Sequence, residues 1–316
     1  MKTNFLKKKI KTYLKYLNYN KPIKFSLRRC DICGSKKNTI IKEIISWNRK
    51  KYGYLPIVAC DFCGFIFQKI NFTKEFYFDF YANYYRKIIF KDPTPSKKFL
   101  IDQKKRGQGI YNFVIKYFKK KGCMLDVGAS SGLMLRVFKD NGWKVKGNDP
   151  DVQFVNYGNN KLKLKIDTCQ AEDMKYNEKF DLIIIMGSLE HCYDPNLVLK
   201  KCAEYSKKGS ILVLECRGDP QGRIKKYFNH NHHRYFNGNT QELIMIKHGW
   251  KPFLTTQNEI TGPTRQGGYF TFGRYLGKNN KVNITRLIQM GKKETVETVK
   301  NRFIYFDALA SKQKSS

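Results

Sequence analysis

The chain has 316 residues, 41% of them hydrophobic and 15% aromatic, with a net charge of +35. That length suggests about two folding units, and the apolar content excludes a disordered or collagen-like chain. No run approaches the roughly 18 apolar residues of a membrane span. Lys7–Lys9 are not followed by the apolar core and small-residue cleavage site of a secretory signal, so a cytoplasmic protein is expected. The charge is uneven: residues 1–51 carry 16 basic and two acidic side chains, whereas 122–254 carry 20 and 15. Two readings stand side by side. One is an electrostatic footprint for nucleic acid or an anionic membrane. The other is compositional drift, since Lys, Asn, Ile, Tyr and Phe, all with A/T-rich codons, abound together.

Residues 1–21 read as a basic tail in which Ile10, Tyr13, Leu14 and Leu17 fall at helical spacing. Such a helix either makes peripheral contact with lipid headgroups or a polyanion, or packs on the body of its own protein. Residues 22–75 hold two Cys-bearing turns around strand-like Thr39–Trp47 and Leu55–Ala59. An aromatic run, Phe76–Tyr85, is followed by the breaker-rich Asp92-Pro93-Thr94-Pro95-Ser96, a linker signal. A helix is expected from about Lys97 to Lys121, which completes a connector over 76–121.

From Gly122 the pattern alternates between strands and helices. Apolar runs lie at Cys123–Val127, Val145–Gly147, Leu162–Ile166, Leu182–Met186 and Ile211–Leu214, then at Phe253–Ile260 and Tyr269–Tyr275. This alternation predicts a mostly parallel sheet with helices on both faces over 122–276. A helical extension is expected over 277–316.

Two motifs carry chemistry. Cys30-Asp31-Ile32-Cys33-Gly34 and Cys60-Asp61-Phe62-Cys63-Gly64 are paired CxxC knuckles, the pattern of a tetrahedral four-cysteine zinc site. Each following glycine can adopt the left-handed conformation that closes the knuckle. Four thiolates leave no open coordination position, so the zinc would be structural. Disulfides fit poorly without a secretion signal. The second motif is the turn Asp126-Val127-Gly128-Ala129-Ser130-Ser131-Gly132 between a strand and a helix. Asp149 ends the next strand, at the distance of an acid that accepts both hydroxyls of a ribose. Asp126 would repel a phosphate but suits a cationic amino-acid moiety, which favours a sulfonium nucleoside over a dinucleotide.

These motifs, with Tyr77, Tyr81, Tyr84 and Tyr85, GNDPD at 147–151, FDLIIIMGSLEHCYDP at 180–195 and His232-His233-Arg234-Tyr235-Phe236, resemble class I S-adenosylmethionine-dependent methyltransferases with an N-terminal zinc-binding module. The resemblance covers roughly residues 28–250. It implies a Rossmann-like, mostly parallel seven-stranded α/β sheet preceded by a small zinc-ribbon-like module. It also implies that Asp126, Gly128, Ala129 and Gly132 surround the methionine part of S-adenosylmethionine. Asp149 would hold the ribose with Pro150 beside it, Ala171, Glu172 and Asp173 would contact the adenine, and Met186 and Gly187 would close the pocket. Ser130 replaces the family's usual middle glycine, which fits if the backbone there needs no positive φ.

His191, after the fourth strand, is a candidate general base; the other reading is that it only orients its loop. His232 and His233, in the polar loop after the fifth strand, are candidate bases or substrate contacts. A metal at the histidine cluster is disfavoured because no carboxylate lies close in sequence. Arg217, Arg223 and Arg234 either grip a phosphorylated substrate or are solvated loop charge. The function expected is methylation of a small acceptor, a sugar by the family resemblance. The alternatives are an RNA methyltransferase gripping its substrate through the basic N-terminal region and a non-catalytic polyanion-binding module.

Overall fold

The computed structural model describes residues 3–47, 50–85, 94–216, 231–257, 260, 268–277 and 284–289. The first helix, α1 (Thr3–Leu17), places Leu6, Ile10, Tyr13, Leu14 and Leu17 on one buried stripe. Strands β1 (Phe25–Leu27), β2 (Asn38–Trp47), β3 (Lys50–Cys60), β4 (Ile66–Gln68) and β5 (Ile70–Phe72) follow. Helix α1 lies directly on β3: a Cβ on Gly53, which has φ +110°, would come within 2.4 Å of the Tyr13 backbone nitrogen. The Tyr54 N–H donates to Thr12 Oγ1 at 3.0 Å. Of the two readings of the basic tail, the structure shows a helix packed on its own protein. Its apolar stripe is already used, and each buried Leu, Ile or Tyr contributes about 1.5–3 kcal/mol by leaving water.

Helix α2 (Lys74–Asp79), capped by Thr73, runs on into a π-helical turn, Phe80–Tyr85. Helix α3 (Lys97–Val114) ends in a 3-10 turn, short of the expected Lys121. The linker signal is described only from Thr94, and Asp92 and Pro93 lie outside the described residues.

The main sheet begins with β6 (Cys123–Val127), followed by α4 (Leu133–Asp140), β7 (Lys144–Asp149), α5 (Val152–Lys161), β8 (Ile166–Thr168) and β9 (Phe180–Met186). It continues through α6 (Pro195–Glu204), β10 (Ser206–Cys216), β11 (Arg234–Tyr235), α7 (Gly238–Lys247), β12 (Trp250–Thr256), β13 (Tyr269–Tyr275) and α8 (Ile284–Gln289). Seven strands pair in the order β12-β13-β10-β9-β6-β7-β8, and β13 is antiparallel to both neighbours. This is the expected mostly parallel seven-stranded sheet.

Several strand boundaries differ from expectation: Ile211–Leu214 lengthens to Ser206–Cys216 and Leu55–Ala59 to Lys50–Cys60. The run Leu162–Ile166 becomes strand only at Ile166, because the N–H groups of Leu162 and Leu164 still close the end of α5 on the Gly158 carbonyl. Lys163 between them is left-handed, with φ +53°. The run expected at Phe253–Ile260 is paired over Trp250–Thr256.

Side chains alternate across the sheet as the strand period requires. Met124, Leu182, Ile184 and Val213 pack with Ile110 and Val114 of α3 and Leu135 and Phe138 of α4. On the opposite face, Leu125, Ile183, Ile185 and Leu214 share one core with α6, α7 and the cysteine knuckles. The N-terminal sheet is completed from the far part of the chain. Its order is β11-β4-β3-β2, with Arg234 opposite Phe67 and Tyr235 opposite Ile66.

Candidate functional site

The sheet order reverses between β6 and β9, and the crevice beyond their carboxyl ends is where an open α/β sheet takes a ligand. The turn after β6 packs tightly against its neighbours. Gly128 has φ +82° and Gly132 +76°. A Cβ on Gly128 would sit 2.6 Å from the Ser188 Cβ, and one on Gly132 would sit 2.5 Å from Leu164 Cδ1. The N–H groups of Gly128 and Ala129 both donate to the Asn148 carbonyl at 2.9 Å, which fixes the turn against β7. Ser130 is itself left-handed, φ +53°. The expectation that the position needs no positive φ is therefore wrong: the missing glycine leaves a serine in a strained region, and its buried Oγ has no hydrogen-bond partner among the described atoms.

Asp149 ends β7 facing this turn, with Oδ2 accepting from Ser130 N at 2.8 Å and Oδ1 from Asp151 N at 2.9 Å. Pro150 beside it is half-buried. Asp126 is only 2% exposed. Burial, reinforced by the nearby Asp149 charge and opposed by Arg106, pushes its carboxyl up to about 8. Arg106 on α3 is in turn paired with buried Glu215 at the end of β10, at 3.4 Å. Sequence reasoning passed over both residues. Arg106 falls one turn before Ile110 on the helix face that packs on the sheet, where a charged residue gives no apolar signal, and a Cβ on the neighbouring Gly107 would meet the α4 backbone at 2.9 Å.

The other expected cofactor residues follow the carboxyl ends of β8 and β9. Gly187, φ +61°, follows Met186 and donates its N–H to the Glu215 carbonyl at 2.7 Å. Ala171, Glu172 and Asp173 form a 3-10 turn after β8. Glu172 is buried with Oε1 accepting from Asp194 N at 3.0 Å, while Asp173 pairs with Lys74.

Beyond the end of β9, Leu189–His191 form a 3-10 turn. The Asn231 carbonyl can only accept, so the 2.7 Å contact makes His191 Nδ1 the donor and places the ring's lone pair on Nε2. Tyr81, on the π-helical turn, also donates to that carbonyl at 2.7 Å and lies 3.0 Å from His191 Nδ1. The rings of His191 and His232 are 4.8 Å apart. His233 packs against Tyr77 with ring centroids 4.0 Å apart and planes tilted by 41°. Burial and the neighbouring cations Arg28 and Arg234 hold its imidazole well below the usual range, hence neutral. His248 is structural: its Nε2 contacts Asn196 Oδ1 at 3.0 Å, and burial lowers it to about 4.

The sequence argument against a metal at the histidine cluster does not hold. Glu190, one residue before His191, brings its carboxylate to the cluster, and one donor atom each of Glu190, His191 and His232 lie within 4.8 Å of one another. Arg234 neither grips a substrate nor is solvated. Its guanidinium is fully buried and bidentate to Asp31, Nε–Oδ2 2.7 Å and Nη2–Oδ1 3.2 Å, while also donating to the Cys192 and Tyr193 carbonyls. Arg217, Arg223 and His230 lie outside the described residues.

The four knuckle cysteines converge. Cys30 and Cys63 sulfurs are 3.4 Å apart, and Cys33 and Cys60 sulfurs 3.5 Å. All four sulfurs lie within 4.8 Å of one another. These separations are far beyond a disulfide bond of about 2.05 Å and near the roughly 3.8 Å edge of a tetrahedron with 2.3 Å metal–sulfur bonds. Gly34 and Gly64, φ +77° and +72°, donate back to the Cys30 and Cys60 carbonyls. The donor set and shape fit zinc.

Residues 101–252 match the family model described as a methyltransferase domain. Over these residues the chain resembles that family. Curated relatives of the domain include two ubiquinone biosynthesis O-methyltransferases. That of Nitrobacter winogradskyi is 34% identical over 95 residues, 28% of this chain and 36% of the relative. That of Rhodopseudomonas palustris (strain BisB18) is 31% identical over 96 residues, 29% of this chain and 38% of the relative. The chain thus spans little more than a third of the length of these relatives. A solved S-adenosylmethionine-dependent methyltransferase from Clostridium acetobutylicum ATCC 824 is 12% identical, with a TM-score of 0.48 over 61% of this chain and 96% of that one.

Proposed function

We propose that the chain transfers a methyl group from S-adenosylmethionine to an oxygen of a small acceptor. The observation that carries this reading is the Asp126–Gly132 turn, whose left-handed glycines fold its backbone against Ser188 and Leu164, faced by Asp149 at the switch point of the sheet. When bound, the cofactor supplies an electrophilic methyl on a sulfonium. Asp126, Gly128, Ala129 and Gly132 would hold its cationic amino-acid end, Asp149 with Pro150 its ribose, and Ala171, Glu172 and Asp173 its adenine, with Met186 and Gly187 closing the pocket. Methyl transfer is an in-line displacement, so alignment of acceptor and cofactor supplies much of the rate. His191 takes the acceptor's proton at Nε2, held in that tautomer by Asn231 with Tyr81 alongside. His232 lies beside it on the acceptor side, and enclosed His233 orients Tyr81. Cys30, Cys33, Cys60 and Cys63 would hold a zinc ion that stabilises the N-terminal sheet without chemistry of its own.

An oxygen acceptor is supported by the names of the relatives; a sugar acceptor rests on family resemblance alone. Among the described residues no helix is long and apolar enough to cross a membrane. The test is binding of S-adenosylhomocysteine to wild type and Asp149→Ala, followed by transfer of labelled methyl groups into a panel of sugars and phenols. Equal binding by both proteins would refute the cofactor assignment, and label confined to ribonuclease-sensitive material would refute a small acceptor.

A further inference from the structure

We propose that the outer face of α1 is a docking track for single-stranded nucleic acid, separate from the cofactor crevice. The helix is held rigidly: its apolar stripe is buried, Gly53 of β3 passes against its backbone, and the Tyr54 N–H donates to Thr12 Oγ1 at 3.0 Å. The opposite face therefore has a fixed shape. Lys7, Lys11 and Lys15 recur every four residues along it, all exposed, with exposed Lys8 beside them. Four residues of helix rise about 6 Å, so the three ammonium groups form a line rather than a cluster.

This line has no internal relief. Like charges one turn apart repel, and no acidic side chain precedes Asp31 in the chain. Among the described residues no carboxylate pairs with Lys7, Lys8, Lys11 or Lys15, whereas Lys21, Lys74, Lys146, Lys200 and Lys207 each have one. Compositional drift spreads lysine over the whole surface; it does not separate lysine from carboxylates on one helix. The complement of a line of cations is a chain of regularly spaced anions.

Two exposed rings select the kind of polyanion. Phe5 and Tyr16 are 49% and 37% exposed, on the strip of α1 next to the lysine line. Lys9 Nζ lies 4.6 Å from the centre of the Phe5 ring and 4.7 Å from that of Tyr54, which steadies Phe5 without covering it. Cations that follow a backbone, with aromatic faces alongside, are how proteins hold single strands: phosphates sit on the cations and unpaired bases on the rings. An anionic bilayer fits less well, because an interfacial helix inserts its apolar face and here that face is buried in the protein. The strand is a tether and not the methyl acceptor, so the track stands or falls independently of the methyltransferase reading.

The test is fluorescence anisotropy of a fluorescein-labelled oligouridylate with the full chain across about 50–200 mM salt. Each lysine that neutralises a phosphate contributes about 0.7 to the slope of log affinity against log salt. The triple variant Lys7→Gln/Lys11→Gln/Lys15→Gln should therefore lose about 2 from the slope and bind about a hundredfold more weakly at about 0.1 M salt. Phe5→Ala and Tyr16→Ala should each weaken binding about fivefold or more with the slope unchanged. Circular dichroism should match wild type in all of them, since no residue of the buried stripe is altered. A second triple variant, Lys161→Gln/Lys163→Gln/Lys165→Gln, removes the same charge from another exposed surface. Its slope should stay within about 0.5 of wild type. An equal loss of slope in both triples would reduce the binding to net charge and overturn the track. Anisotropy that the chain leaves unchanged, or ring variants that bind like wild type, would overturn it too. So would binding of phosphatidylglycerol vesicles in preference to the strand.

Discussion

Asp126 provides a direct measurement on the cofactor crevice. Its carboxyl sits at about 8 in the ligand-free chain, chiefly because burial disfavours the charged form and secondly because Asp149 is near. A cationic ligand end placed against it reverses that balance and returns the group toward its ordinary 3.8. With a value of about 8, roughly 0.9 of the chains carry the proton at pH 7 and about 0.1 at pH 9. Binding S-adenosylmethionine should therefore expel about 0.9 proton at pH 7 and about 0.1 at pH 9. The logarithm of the affinity should climb by about one per pH unit below about 8 and flatten above. Isothermal titration calorimetry in buffers of different ionisation enthalpy reads both quantities. Asp126→Asn should abolish the proton release and weaken binding. The sign for stability follows from the raised value: between about 4 and 8 the folded chain holds a proton that the unfolded chain has lost, so stability falls as pH rises through that window. Above it the ligand-free Asn variant should be the more stable. The gap between about 8 and 3.8 bounds that gain at on the order of 5 kcal/mol. Buffer-independent binding heats at pH 7, or an Asn variant less stable than wild type at pH 9, would refute the reasoning.

Three other outcomes are expected. Ser130→Gly should raise stability by about 1 kcal/mol and the melting temperature by about 2–4 °C, because a left-handed L-residue costs about 1–2 kcal/mol; no rise would mean the turn relaxes around serine. Arg234→Met should cost about 3–5 kcal/mol by chemical denaturation, since it strands Asp31. The Asp31 carboxyl is held below its ordinary range by Arg234 and Arg28, against the opposing effect of burial, so that penalty should shrink as pH falls through the folded Asp31 value. An Asp31→Asn/Arg234→Met double variant should lose less than the sum of the singles. Cys60→Ser should lose the knuckle metal and unfold the N-terminal sheet, read by metal content and by loss of β signal in circular dichroism; an unchanged metal content would rule out the knuckle site.

The sheet and the knuckles were legible because their signals are local: period-two apolar runs, a strand–glycine–helix turn, and two CxxC pairs. The joints between the parts were not. β11 is two residues long and has no periodicity of its own; it becomes a strand only because β4 offers an edge. Arg234, read beside two histidines, looked like a phosphate grip or solvated loop charge, yet its partner is a knuckle aspartate 203 residues earlier. Glu190 seemed remote from His232 because 42 positions of chain hide a side-chain cluster. Ser130 shows the opposite failure, a local rule judged by residue type when the backbone conformation decided it.

The shared strand also bears on how the molecule comes into being. A chain emerging from the ribosome has all four knuckle cysteines available early, but the edge of β4 stays open until residues 234 and 235 arrive. Closing a loop of that length is entropically slow, and until then Phe65 and Phe67 lack Phe236 and the sheet face they pack against. Metal capture can come first, whereas completion of the N-terminal sheet must wait for most of the main sheet. The N-terminal part is therefore not a detachable module. Its last strand also leads back through His232 and Asn231 to the acceptor side, so loss of the knuckle metal should be felt at His191.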